Sequence, residues 1–151
     1  MEELIIILLA ATPVSEIRGA LPVALGFFKM SPLSAYWLSV FGNMLPVIPW
    51  MFFLKYLVEF LMAHIEVAKK FFDWLFERTR KRMEGKIKKY GTLGLVLFVA
   101  IPLPITGAWT ATVAAFVFGL SLRRSLFAIL LGVIIAGLVV LSLTYGVIFV
   151  I

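Results

Sequence analysis

Glu16 and Arg18 stand two residues apart inside an apolar stretch that runs from Leu4 to Phe28. On membrane-insertion scales a charge at the centre of a helix costs ~2.5–3.5 kcal/mol. Charges placed there usually pair with each other or face a water-filled path. Three arrangements fit the pair: a mutually neutralising latch, a site in a watery crevice, or a position at the outer interface. In the second, Arg18 binds an anionic group and Glu16 carries a proton. Latch and site are compatible, because protonating a carboxylate releases its arginine. Gly19 permits close backbone approach and Pro22 disturbs the helix that follows. A half-helix beginning near Gly19 would aim free N–H groups at an anion.

A second interruption, Pro102-Leu103-Pro104-Ile105-Thr106-Gly107-Ala108-Trp109-Thr110, lies in another apolar run. Pro102 and Pro104 fix a turn, after which Thr106, Gly107 and Thr110 offer hydroxyls and N–H groups to a ligand, or simply cap the turn. Trp109 suits a gate or plain packing. Asn43, in Gly42-Asn43-Met44-Leu45-Pro46, is a polar residue within an apolar segment, able to bond a neighbouring helix or line the site. His64 is the single histidine, readable as a plain interfacial residue or as a metal ligand or proton relay. No nucleotide loop, metal cluster or catalytic triad is present, so neither an enzyme nor a cofactor is expected.

The elements around these residues are those of a membrane protein. Hydrophobic residues make up 63% of the 151 positions and charged residues 15%; mean hydropathy is +1.09. The segments 92–122 and 125–151 carry no charge, and each exceeds the ~20 residues that cross a bilayer. The opening Met1-Glu2-Glu3-Leu4 lacks the basic region of a secretory signal. There is no cysteine, hence no disulfide. Nine of the fourteen Lys and Arg residues fall between Lys69 and Lys89. A short basic segment between apolar ones marks the cytoplasmic side and does not call for nucleic acid.

Hydropathy divides the chain into five parts forming one membrane domain. Residues 1–30 and 92–120 are each two apolar arms around a break. Residues 32–61 form a spanning helix bent near Pro46 and Pro49, with Lys55 snorkelling from its end. Residues 64–90 predict an amphipathic helix, with pairs Glu66–Lys70, Glu77–Lys81 and Glu84–Lys88 and a loosened end at Gly85 and Gly91. With its aromatic face, that helix suits the cytoplasmic membrane surface. Residues 125–151 form an unbroken span, where Gly132 and Ala136 make a small-residue pair for close helix contact.

Arm length decides between bent spans and re-entrant hairpins. Each arm has roughly 9–12 residues, hence ~15 Å at 1.5 Å per residue, about half a bilayer. A hairpin at 92–120 also keeps Arg123 and Arg124 on the cytoplasmic side. The expected fold is all-α: a re-entrant hairpin plus a transmembrane helix, then the same pair inverted, with both chain ends outside.

At Ser15-Glu16-Ile17-Arg18-Gly19-Ala20-Leu21-Pro22, Gly42-Asn43 with Pro46, and Pro102-Leu103-Pro104 with Thr106 to Thr110, the chain resembles the small multi-drug export protein family of prokaryotes. That family is distantly similar to the DedA/VTT membrane proteins, which have paired re-entrant hairpins and include proposed lipid flippases. The resemblance implies a proton-coupled transporter of the cytoplasmic membrane, with Glu16 and Arg18 as acidic and basic hairpin residues. The DedA pattern places an arginine near its second break; here that hairpin is uncharged. The expected substrate is a small amphipathic molecule or phosphate-bearing lipid, and the expected assembly is a homodimer in contact with membrane lipids. Export of lipophilic cations is the alternative, and a non-transporting scaffold is the alternative of another class.

Overall fold

The computed structural model describes residues 1–83, 90–103 and 106–150. Pro104, Gly85, the Glu84–Lys88 pair, Lys86, Lys88 and Lys89 lie outside them. The described residues are helical: α1 Glu2–Ala11, α2 Glu16–Gly26, α3 Pro32–Met44, α4 Val47–His64, α5 Glu66–Met83, α6 Thr92–Ala100, α7 Ala108–Val117 and α8 Leu122–Val150.

The two breaks end their helices by the same local physics. Thr12 precedes Pro13 and Ile101 precedes Pro102, and both are extended (ψ 144° and 112°). Proline clashes with a helical residue before it, so each helix stops there. The arms are short, 10 and 11 residues in the first pair and 9 and 10 in the second. α1 packs against α2 and α6 against α7, so each pair is a helical hairpin.

The predicted bent span at 32–61 is interrupted between Met44 and Val47, and its second piece runs on to His64. The cause is Pro46 followed by Pro49, which remove two backbone donors within one turn. Lys55 therefore sits within α4 instead of at an end, 4.0 Å from Glu59. The last helix starts at Leu122 and not at Ser125, placing Arg123 and Arg124 in its first turn. Pro32–His64 and Leu122–Ile148 are each long and apolar enough to cross a membrane. In α5, Lys81 pairs with Glu77 at 2.7 Å; among the described residues no ion pair joins Glu66 to Lys70.

The hairpins exchange partners across the molecule. α1 lies on α3, and α6 lies on α8. Both contacts are made at a glycine. A Cβ on Gly42 would strike the Ile7 backbone and Ala10, and one on Gly132 would strike Val99 and the Val96 carbonyl. The second arms cross over, α2 onto α8 and α7 onto α4. On α8, the last turn of α6 meets Gly132, whereas Ile17, at the start of α2, meets Gly137. The two hairpin tips thus converge on the middle of α8. Alanines 10, 20, 24, 35, 108, 111, 115 and 128 are fully buried in these contacts, because small side chains let helices approach without a hydrophobic drive. Leu4, Leu8, Trp37, Phe41, Phe53, Leu138, Leu143 and Val147 point outward, as suits a lipid-facing surface.

Candidate functional site

Glu16 opens α2 with a backbone φ of 49°. For a residue with a side chain that left-handed conformation costs on the order of 1–3 kcal/mol, so its surroundings must hold it. The Glu16 carboxylate accepts the backbone N–H of Trp109, the second residue of α7. That donor is one of the orphan groups at a helix start, ordinarily served by the side chain of the N-cap residue. The N-cap here is Gly107, which has none. Glu16 supplies the missing cap from the other hairpin, at the positive end of the α7 dipole. A Cβ on Gly107 would collide with that carboxylate. Gly107 is extended, at φ 172°, so it is needed for space and not for its backbone conformation.

Arg18 makes the second link. Its Nη2 lies 3.9 Å from Glu16 Oε2, and its Nη1 donates to the Leu103 carbonyl of the second hairpin. Its side chain is 22% exposed against 6% for Glu16, so of the two it is the one that reaches the surface. It borders a recess of about 430 Å³ beside Pro13, Val14 and Pro102. It also borders one of about 500 Å³ that runs past Pro22 and Gly26 along Val140 and Thr144. Trp109 closes the tip-to-tip contact from the other side. Its Nε1 donates to the Ala11 carbonyl at 3.2 Å, and its ring lies 4.9 Å from that of Trp50.

Six of the residues picked out by sequence line one small cavity of about 10 Å³: Glu16, Arg18, Asn43, Pro102, Thr106 and Gly107, closed by Val133 and Ala136 of α8. Thr106 is turned inward on its own loop, its hydroxyl donating to the Ile101 carbonyl and accepting the Leu103 N–H. The Thr110 hydroxyl donates to the Gly107 carbonyl at 3.2 Å. Gly19 packs on the Ser15 hydroxyl, where a Cβ would not fit. α2 starts at Glu16, three residues before the expected Gly19, and Pro22 lies within it. His64 is remote, its Nδ1 2.9 Å from the Phe60 carbonyl and its ring stacked on Phe60.

Sequence reading passed over Ser39, which is fully buried one turn before Asn43. A lone serine in an apolar helix carries little signal; its i,i+4 relation to Asn43 was the available one. The Leu103 carbonyl could not be found at all, since a backbone acceptor leaves no mark on residue type.

Apolar outer faces, two segments long enough to cross a bilayer and an acid–base pair held between the hairpin tips, its carboxylate buried, define a helical membrane protein. Residues 16–139 match the model of the small multi-drug export protein family. The chain belongs to that family. No curated protein and no solved structure matches it.

Proposed function

We propose that the chain is a proton-coupled transporter of the prokaryotic cytoplasmic membrane, built as two re-entrant hairpins in an inverted repeat. The observation that carries this reading is the seat of Glu16 on the α7 N-terminus beside Gly107. The α7 dipole and Arg18 both attract the charge of its carboxylate. Protonation removes the charge that both attractions need, so the tips loosen and Arg18 is released towards a substrate. The matched roles of Gly42 and Gly132, and the crossing of α2 and α7, support the inverted plan. Convergence of both tips on the middle of α8 supports hairpins that dip from opposite sides. The α5 helix then lies on the cytoplasmic surface, with Phe71 and Trp74 exposed and Arg78 over the Trp74 ring.

The substrate in this reading is amphipathic, with an anionic or phosphate-bearing head for Arg18 and an apolar body for the recess between α2 and α8. A homodimer completes the pathway wall, since of the 18 residues of α4 only Val47 and Val58 are buried. No enzymatic step is involved. A second reading, in line with the family's multi-drug export description, is export of lipophilic cations with Glu16 as the binding charge. Reconstituted vesicles separate the two. Movement of a labelled anionic lipid that is lost in Arg18→Ala supports the first. Cation efflux that survives Arg18→Ala but not Glu16→Gln supports the second. A folded protein that moves neither is a scaffold, and both readings fail.

A further inference from the structure

The polar face of α3 makes no hydrogen bond to either hairpin tip through Asn43 Oδ1 or Ser39 Oγ. Asn43 is 1% exposed and Ser39 fully buried, and both Asn43 Oδ1 and Ser39 Oγ are buried without a hydrogen-bond partner. Leaving such groups unsatisfied costs ~1–3 kcal/mol each, so an apolar pair would make a more stable helix. Their spacing puts them one above the other on one face, and Asn43 lines the same cavity as Glu16. That cavity, about 10 Å³, has the volume of a single water, which needs 2–4 polar partners. Asn43 Oδ1 and the Glu16 carboxyl offer them.

From this geometry we infer that Asn43, with Ser39 one turn behind it on α3, forms a proton entry to Glu16 by holding one water against the carboxyl. A proton reaching that water passes to the Glu16 carboxylate, while Asn43, seated on the polar face it shares with Ser39, holds the water and keeps its own protons. Nothing is oxidised or reduced, and the proton leaves by the reverse path or through the loosened tips. The groups facing Glu16 are few. α2 brings Arg18, α7 brings the Trp109 N–H, and α8 brings Val133 and Ala136. α6 brings Val99, and α3 brings Asn43. Tyr36 is the titratable side chain on the same stretch of α3, and its hydroxyl donates to the Ile134 carbonyl. Arg18 is therefore the charged neighbour among the described residues, and the entry itself is uncharged. Ser39 and Asn43 are positioning residues in this scheme, and it rests on the proposal that Glu16 exchanges a proton.

Time-resolved infrared spectroscopy after a rapid pH drop tests it on the purified full chain. The carboxyl band of Glu16 is identified by its loss in Glu16→Gln. In Asn43→Leu and Ser39→Ala that band should rise more slowly by on the order of 10²-fold, the lower part of the range for losing a positioned proton-transfer group. Its final amplitude should be kept. Asn43→Ser puts a polar hydroxyl back where the amide stood and should recover most of the rate, which a merely structural role would not predict. Should Asn43→Leu fail to fold, Ser39→Ala and Asn43→Ser still decide the outcome. Unchanged rates in these variants overturn this entry while leaving Glu16 as proton carrier. Absence of any titrating band that Glu16→Gln removes overturns both.

Discussion

The Glu16 carboxylate occupies the space that a side chain on Gly107 would fill. One hairpin thereby caps a helix of the other, and the contact is made by the residue type least expected in lipid. It also explains a left-handed glutamate. The backbone of Glu16 sits at φ 49°, and its contacts with the start of α7 and with Arg18 offset the cost of that conformation.

Gly107→Ala should act through Glu16. The atoms that an added methyl meets belong to the end of a flexible side chain, so the carboxylate swings away at little steric cost. What is lost is the cap, about 0.5–2 kcal/mol. Thermal unfolding in detergent should show that loss in Gly107→Ala and in Glu16→Ala. The double variant should be no worse than either alone; additive losses would show that the two residues act independently.

Arg18→Ala strands the buried Glu16 carboxylate and leaves the Leu103 carbonyl without this donor. Breaking a buried pair on one side costs ~3–5 kcal/mol; the partial exposure of Arg18, 22%, brings this down to about 1–3. The double variant Glu16→Gln/Arg18→Ala should therefore be more stable than Arg18→Ala alone. The reverse order would show that the pair is not energetically linked.

Glycine substitutions should divide sharply. Gly42→Ala drives a methyl into the Ile7 backbone and Gly132→Ala drives one into Val99; overpacking of this kind costs ~1–3 kcal/mol. Gly94 and Gly146 face open space, and alanine there should be neutral or stabilising by about 0.5–1 kcal/mol, from the helix entropy gained. Melting temperatures of the four variants check the order.

The re-entrant plan has a direct topological consequence. Because the native chain has no cysteine, single substitutions report cleanly. Glu3→Cys and Lys29→Cys, at the two ends of the first hairpin, should both react with an impermeant maleimide from outside the cell. Ile65→Cys and Ser121→Cys should react only from the cytoplasm. Labelling of Glu3→Cys and Lys29→Cys from opposite faces would mean that residues 1–30 cross the membrane, and the hairpin reading would be abandoned.

Much of the architecture was legible without coordinates because its determinants are local. Pro13 and Pro102 stop helices through clashes with the residues just before them, so both breaks could be read directly. The Pro46–Pro49 pair predicts a bend in one span, and Pro32–His64 is one span in which Leu45 and Pro46, still helical in backbone, part α3 from α4. One missing donor kinks a helix, whereas two within a turn leave too few bonds to carry it through. Asn43 was legible as a polar residue in an apolar segment, but Ser39 was not. A serine is small enough to be silent until its burial is known.

Residue order alone settled that this is an apolar, helical chain with two broken segments and one acid–base pair, because hydropathy and proline sterics act over a few neighbouring residues. It could not settle what the acid–base pair touches. Glu16 meets Gly107 and Arg18 meets the Leu103 carbonyl only because two hairpins converge on the middle of α8. That convergence depends on small residues fitting at Gly132 and Gly137, a matter of shape between helices distant in the chain. A helix N-terminus and a backbone carbonyl have no letter in the sequence, so their partners emerge only when the helices are packed.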